Sequence, residues 1–241
     1  MSNVTDFLKQ IDEKVDNNVE VLVPSMDGSA SWIFKQITVT QQKKIIKNTL
    51  EGIQGNIRLP RVYNSILREN NPNGHTLLIA DRNAVLVQLR IASVGHGVLD
   101  EEGNETELDE EYIKQCIESP LVVGNKFEYK GIVVHLMTPT IEKDDTFFKL
   151  LEDRQFNTAG DLVNELYVTE AAKFLVKVEF NEIEIEPNPK ESIELINKLP
   201  LTLNNMILSF VKSIKDYDNK FLVAMNGAQL TLNAKFFNTP D

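Results

Sequence analysis

The sequence predicts an α+β fold that is rich in helix and contains short antiparallel hairpins. Apolar residues recur at helical spacing in several segments, whereas other segments alternate apolar and polar residues as strands do. Turn signals at Lys130 with Gly131 and at Asn226 with Gly227 each separate two strand-like segments. Hydrophobic residues make up 42% and charged residues 25% of the 241-residue chain. This is an ordinary globular composition, so a disordered chain is not expected.

The N-terminal part of the chain contains helix signals and then strand signals. Residues 5–15 are predicted to form a short amphipathic helix, because their apolar residues recur at helical spacing. Residues 19–23 alternate like a strand that Pro24 ends. Residues 32–37 form a second strand candidate, beyond a loop.

The next two helices are marked by their end residues. Thr38 and Gln41 form a capping box, in which each side chain bonds a backbone N–H that the helix leaves free. Gly52 is well placed to end this helix. Pro60 suits the first position of the following helix, where its missing N–H loses no hydrogen bond.

Residues 77–94 are the most apolar stretch of the chain. Asp81 is placed to cap a helix that runs to Val94. A helix that is apolar on most sides belongs in a core or between partners, and the charges within this one argue against a membrane span. Arg90 needs a partner, because leaving a buried guanidinium unpaired costs several kcal/mol. The partner is either an internal carboxylate, such as Asp81 or one from the second half of the chain, or a carboxylate of another protein.

The acidic segment at residues 100–111 is predicted to be a loop that leads into a short helix through Ile113 and Ile117. Its residue order departs from the calcium-binding loop pattern and places no bidentate glutamate, so a solvated acidic face is preferred to a calcium site. Any domain boundary lies near this loop. The alternatives are a helical and strand region at residues 1–115 with an α+β region at residues 116–241, or one continuous domain.

The second half of the chain contains further strand and helix signals. The strand-like segments are residues 127–129, 132–137, 175–185, 221–225 and 228–232. The helices are predicted at residues 161–174, after a cap at Asn188 with Glu191 as its box partner, and from Thr202 onward.

The charge and cysteine content exclude several classes of function. The net charge is −11 and the basic residues are scattered, whereas proteins that bind a phosphate backbone cluster their lysines and arginines. Neither nucleic acid nor an anionic membrane is therefore an expected partner. Cys116 is the single cysteine, so an internal disulfide is impossible, which fits a reducing compartment. The first residues lack the basic and apolar regions of a secretory signal.

The sequence contains no recognisable motif for catalysis or for a cofactor. His75, His96 and His135 do not lie at metal-ligand spacing, either with one another or with the cysteine. No nucleotide-binding glycine loop and no serine nucleophile elbow occurs. We therefore expect no enzyme activity, no metal and no cofactor. The remaining enzyme hypothesis is a metal-independent hydrolase that uses His135 with a nearby carboxylate, although a half-buried strand histidine is preferred.

Several segments, taken in order, resemble a known family. They are FKQITVTQQKKIIKNTLEG at 34–52, LLIADRNAVLVQLRIASVG at 77–95, the region from ELYVTEAAKFLVKVEF at 165–180 to INKLPLTLNNMILSFVKSI at 196–214, and LTLNAKFFNTPD at 230–241. In order, spacing and total length they resemble the baseplate hub protein family of T4-type bacteriophages. Residues 97–125 and the N-terminal helix contribute nothing to the resemblance.

The resemblance implies a late phage protein that is non-catalytic and acts through protein–protein contacts. It would be a component of the tail baseplate hub or a hub assembly factor, with other baseplate hub proteins and the tape-measure protein as partners. A homo-oligomer stays open. The implied location is the tail baseplate of the virion, after assembly in the host cytoplasm. The alternative is a tail-assembly chaperone for the tape-measure protein that is absent from the mature virion.

Phe236 and Phe237 are candidate partner-binding residues, together with Arg90. Adjacent residues of a strand point to opposite faces, so one sheet surface could not bury both rings. One account is that the chain's own fold uses both, one ring closing the core and the other covering a helix. The other account is that at least one ring is an anchor for a pocket on a partner.

Overall fold

The computed structural model describes residue 6 and residues 17–26, 31–50, 53–152, 154, 159–233 and 235–237. Apart from residue 6, the helix predicted at residues 5–15 lies outside these residues, and so does Gly52.

The order of the elements confirms the predicted α+β fold with short antiparallel strands. In the described residues the strands are β1 (Asn18–Leu22), β2 (Ser31–Lys35), β3 (Gly97–Leu99), β4 (Glu105–Glu107), β5 (Gly124–Tyr129), β6 (Ile132–Met137), β7 (Leu175–Phe180) and β8 (Ile183–Ile185). The α-helices are α1 (Val39–Thr49), α2 (Ile53–Glu69), α3 (Arg82–Val94), α4 (Glu110–Ile117), α5 (Ile141–Glu152), α6 (Ala159–Ala172), α7 (Pro189–Lys198) and α8 (Leu201–Asn219).

The strands form two pairs and one larger sheet, all antiparallel. β1 pairs with β2, β3 pairs with β4, and β5, β6, β7 and β8 are neighbours in that order. Two-residue turns join β5 to β6 and β7 to β8. Lys130 and Gly131 have φ of 51° and 77°, and Asn181 and Glu182 have φ of 48° and 66°. Positive φ at both turn residues matches the twist of the flanking strands, which confirms the hairpin predicted at Lys130.

Local capping signals are confirmed at two helices. The Thr38 and Gln41 side chains form the predicted capping box at the start of α1. Asn188 and Glu191 do the same at α7, with Pro189 in the first turn. In both cases the bonded atoms are three residues apart, so the signal is contained in the sequence.

Two expected helix starts are wrong. Pro60 lies inside α2, which begins at Ile53. Packing of α2 against α1 and α5 outweighs the loss of one backbone hydrogen bond at the proline. α8 begins at Leu201 with Pro200 at the cap position, one residue before the expected Thr202.

α3 confirms the buried helix predicted within residues 77–94, although it starts later than the apolar stretch. Residues 79–81 form a short 3-10 turn, and the Asp81 carboxylate accepts the backbone N–H of Leu78. Asp81 therefore caps this turn rather than α3 itself. Among the helices that the structure describes, none combines the length and the apolar character that a bilayer crossing requires.

Buried apolar side chains form two main clusters. The first core surrounds α3 and includes residues from β1, β2, α2 and α4 and from residues 221–237. The second core lies between the four-stranded sheet and helices α6, α7 and α8. α5 contributes Ile141 to the first core and Phe147 to the second. Because residues 221–237 return to the first core, the two cores do not divide the chain at residue 115.

The turn predicted at Asn226 and Gly227 is present, and Gly227 has φ of 80°. The residues on either side of the turn form isolated bridges instead of the predicted strands. One of these bridges joins Ala224 to Leu108. The segment divides its backbone hydrogen bonds between its own hairpin and the chain near Leu108, so a regular ladder does not propagate.

Candidate functional site

β8 is an edge of the four-stranded sheet, and the apolar side of the sheet is uncovered there. In the antiparallel register Val178 faces Ile185, and Phe180 faces Ile183. Facing residues point to the same side, so all four lie on the side that Val178 buries in the second core. Val178 is 7% exposed, whereas the exposed fraction is 46% for Phe180, 62% for Ile183 and 44% for Ile185. Clustered exposed apolar residues of this kind mark interaction sites.

The other side of the same edge carries charged residues. Glu179 faces Glu184 across β7 and β8. The Nζ atom of Lys177 lies 2.7 Å from a Glu179 oxygen and 2.9 Å from a Glu184 oxygen. The hydrogen bond from Lys177 is the main cause that holds the pKa of Glu179 below its ordinary value. Lys177 therefore bridges the two carboxylates on this side of the sheet.

Glutamate also flanks β8. Glu182, Glu184 and Glu186 alternate with Ile183 and Ile185, and all three glutamates are exposed. The edge therefore presents an apolar side and an acidic side, separated by the backbone of one short strand.

In the residues that the structure describes, no strand pairs with β8 on the side away from β7, because β8 is last in the sheet order. Phe180 and Ile183 flank the two-residue turn and face each other. In a hairpin of this type, each of these two residues donates its backbone N–H to the carbonyl oxygen of the other. Bonded and non-bonded pairs alternate along an antiparallel ladder, so Glu184 directs its N–H and C=O away from β7.

Arg90 lies in the first core with no exposed surface. Its Nε donates to the carbonyl oxygen of Phe236 at 3.0 Å, and its terminal nitrogens donate to the carbonyl oxygens of Gly95 and Gly97. The expected pairing with Asp81 is wrong, because that carboxylate bonds the turn before α3, at the opposite end of the helix. Burial lowers the pKa of Arg90 to about 10, so the guanidinium stays charged at neutral pH. Arg90 thus ties the end of α3 to the C-terminal segment.

Phe236 and Phe237 are both 1% exposed and belong to the first core. Their ring centroids are 5.0 Å apart, and the Phe237 ring lies 6.3 Å from that of Tyr63. The expectation of opposite faces is wrong, because residues 235–237 form a turn rather than a strand and both rings enter the same core. In this conformation neither ring is exposed to a partner.

His135 is a half-buried strand residue, as preferred from the sequence, and its side chain is 29% exposed. Its Nε2 atom lies 2.9 Å from a Glu179 oxygen. In the described residues its ring has no hydrogen bond with a serine, threonine or cysteine, which a nucleophile–base pair would require. Cys116 is buried in the first core.

Asp100 and Asn104 bond each other within the acidic loop. Asp100 accepts the backbone N–H of Asn104 at 2.8 Å and the Asn104 side-chain amide at 3.1 Å. These bonds hold the pKa of Asp100 below its ordinary value. Within the part of the chain that the structure describes, no group of three His, Cys, Asp or Glu side chains is arranged to hold a metal ion.

A buried ion cluster joins Asp144 of α5, Glu170 of α6, Lys173 just after α6 and Arg82 of α3. Asp144 lies 2.6 Å from the Nζ atom of Lys173 and 3.0 Å from Arg82, and Lys173 lies 2.7 Å from Glu170. The Asp144 and Lys173 side chains are 0% and 2% exposed. The burial of these two side chains favours a structural role over a catalytic one. Sequence reasoning missed it, because Arg82, Asp144 and Lys173 come from segments that are distant in sequence.

No protein-family model matches this chain, and neither does any curated protein or any solved structure. The resemblance to phage hub proteins therefore rests on the sequence segments alone.

The apolar edge is the feature that sequence reasoning recognised as strand alternation but not as a surface. The available signal is the run Glu-Ile-Glu-Ile-Glu at residues 182–186, in which apolar residues alternate with charges of one sign. Alternation predicts a strand with two different sides. Only the sheet order reveals that this strand is an edge and that helices leave its apolar side uncovered.

Proposed function

We propose that the chain is a non-catalytic component, or an assembly factor, of the tail baseplate hub of a T4-type bacteriophage. It acts through contacts with other hub proteins and with the tape-measure protein. The observation that carries the binding role is the uncovered apolar edge formed by Phe180, Ile183 and Ile185. A contiguous apolar surface at an accessible strand edge favours association with another protein. The sequence segments that resemble the hub family supply the assignment to the baseplate.

Co-purification from phage-producing cells tests the proposal. A tagged full-length chain is expected to retain baseplate hub proteins or the tape-measure protein, identified by mass spectrometry. Retention of neither, with the tagged chain folded, would contradict the proposal. Washing at increasing salt separates specific contacts from weak attraction to the chain's net charge of −11.

Analysis of purified mature particles separates the two forms of the role. A hub component is found in the particles, whereas an assembly factor or a tape-measure chaperone co-purifies only from cells before tails are complete. The same chain in both fractions at similar amounts supports the component role.

A further inference from the structure

The edge at β8 combines three features that together favour one mode of binding. Ile183 and Ile185 are exposed on one side, and Glu184 is exposed on the other. Between them, Glu184 directs its backbone N–H and C=O away from β7. When a peptide adds to a sheet edge, main-chain hydrogen bonds supply affinity and alternate side chains supply specificity. An edge with one apolar side and one charged side therefore favours a partner segment in which apolar and charged residues alternate.

The acidic side of the edge determines the sign of the charge that a partner segment must carry. A shallow depression of about 230 Å³ beside the edge is lined by Val133, Glu179, Glu182 and Glu184, among others. Lys177 supplies one positive charge to this group of carboxylates. A lysine or arginine head group fits such a depression, because its positive charge meets the carboxylates that line it.

The same glutamates act against a second copy of the chain. Pairing of β8 with β8 of another copy would place glutamates of both copies on one side of the joint sheet. Like charges on neighbouring strands destabilise a sheet, and charged residues on edges are a common protection against self-pairing. The glutamates therefore disfavour copies of the chain and favour a basic strand.

We infer, on the basis of the proposed function, that β8 takes up an extended segment of a partner protein as a fifth strand of the sheet. This segment alternates apolar residues with lysine or arginine. Its apolar side chains cover Phe180, Ile183 and Ile185, and its basic side chains meet the glutamates at residues 182, 184 and 186.

Peptide titration of the full chain tests this mode of binding. The probe is a short fluorescent peptide in which valine and lysine alternate, and fluorescence anisotropy measures its affinity. A peptide of the same composition, with the valines and lysines in separate blocks, carries the same charge but cannot match the pleat. We expect the alternating peptide to bind at least about tenfold more tightly than the block peptide. Equal affinities would mean attraction by charge alone and would overturn the inference.

Variants of the edge identify where the peptide binds. Ile183→Thr combined with Ile185→Thr is expected to weaken binding about tenfold or more, because the apolar cover is lost. Val163→Thr in α6 is the matched control, since Val163 is 62% exposed like Ile183 and lies on a helix. Glu184→Lys is expected to reverse the preference toward a peptide in which valine and glutamate alternate. Thermal melts check that each variant stays folded. Unchanged affinity in the edge variants would overturn the inference.

Hydrogen exchange distinguishes strand addition from side-chain contact. Binding of the alternating peptide is expected to slow exchange of the Glu184 amide, because that N–H gains a partner strand. A bound peptide that leaves this amide unprotected would contradict a fifth strand. Sedimentation of the chain alone is expected to show no association through β8. Association that the double Ile variant abolishes would identify a second copy as the occupant instead.

The two proposals fail in different ways. If the wild-type chain and the double Ile variant both retain hub proteins, the hub function stands and the edge is not its docking site. If the alternating peptide binds at the edge but no hub protein co-purifies, the strand site stands and the hub function fails.

Discussion

Asp144 in α5 and Asp218 in α8 are both buried, at 0% and 8% exposed, and both interact with the charge of Arg82. Burial raises the pKa of each carboxyl, but at Asp144 the charges of Lys173 and Arg82 lower the pKa below its ordinary value. At Asp218 burial prevails and raises the pKa to about 7, although Arg82 and the hydrogen bond from the Asn83 backbone N–H oppose it.

The difference shows that burial alone does not decide whether a carboxyl is charged. Asp144 has Lys173 at 2.6 Å and Arg82 at 3.0 Å, and these two positive charges stabilise the ionised form of its carboxyl. The 3.0 Å bond from the Asn83 amide does not compensate the Asp218 charge to the same degree, and the nearby charges of Asp81 and Asp144 raise its pKa further. At neutral pH Asp144 is therefore ionised, whereas Asp218 titrates.

We expect the largest effect on stability when the Asp144 carboxylate is removed. Asp144→Asn leaves the buried Lys173 and the half-buried Arg82 with one counter-charge fewer, so the free energy of unfolding is expected to fall by about 3–5 kcal/mol. Chemical denaturation at pH 7 measures it. Glu165→Gln is the control, because it breaks an exposed pair with Arg154 and is expected to change stability by less than about 1 kcal/mol. Similar values for the two variants would mean that the buried cluster is not stabilising.

A buried cation held by carbonyl groups sharpens the comparison. Arg90→Met keeps an apolar side chain but removes the donor to the carbonyls of Phe236, Gly95 and Gly97. Buried acceptors that lose their donor are costly, so we expect a loss on the order of 3 kcal/mol. Thermal or chemical unfolding measures this loss. We also expect faster proteolysis of the C-terminal segment that Arg90 holds. Full resistance in that segment would show that the aromatic rings alone retain it.

The pH dependence of stability separates the two aspartates. The folded pKa of Asp218, about 7, lies above its ordinary value of 3.8, so the folded state binds this proton more tightly than the unfolded state. Stability is therefore expected to fall as pH rises from about 4 to 7, by at most about 1.4 kcal/mol per pH unit for this group. Asp144 acts in the opposite direction, because its lowered pKa makes its contribution disappear as pH falls below 3.8.

Asp218→Asn is expected to flatten the stability profile between pH 6 and pH 7. Asp81, whose pKa burial raises to about 6, is expected to keep contributing a slope between about pH 4 and pH 6. Chemical denaturation at several pH values measures both profiles. A variant that keeps the full wild-type slope up to pH 7 would show that Asp218 is not the titrating group.

The smallest expected effect is at the exposed carboxylates of the β8 edge. Lys177→Gln removes the cation that bonds Glu179 and Glu184, yet solvent screens these groups. The free energy of unfolding is expected to change by less than about 1 kcal/mol. Binding of the valine–lysine peptide is expected to strengthen, because the edge becomes more acidic. A large loss of stability would place Lys177 with the buried cations instead.

Local features of the fold could be predicted because their bonded atoms are close in sequence. The capping boxes at Thr38 and Asn188 join residues three apart, and the hairpin at Lys130 needs only two turn residues. The buried character of α3 follows from its composition. The contact of Arg90 with Phe236 could not be predicted, because the two residues lie 146 positions apart in the sequence.

The sequence predicted only part of the candidate site. The alternation at residues 182–186 predicts a strand with an apolar and an acidic side. It contains no information on which strands become neighbours or where helix cover ends. Those facts depend on how β5, β6, β7 and β8 assemble and on where the helices of the second core pack.

By itself, the sequence determined the α+β class, the capping boxes at Thr38 and Asn188, the turns at Lys130 and Asn226 and the acidic charge, because each depends on composition or on residues within one turn. The tertiary structure alone decided that Phe236 and Phe237 share one core, that Asp144 and Lys173 are paired, and that β8 is an edge. These outcomes depend on contacts between distant segments. The energies of these contacts depend on which groups are buried together, and the local sequence pattern does not contain that information.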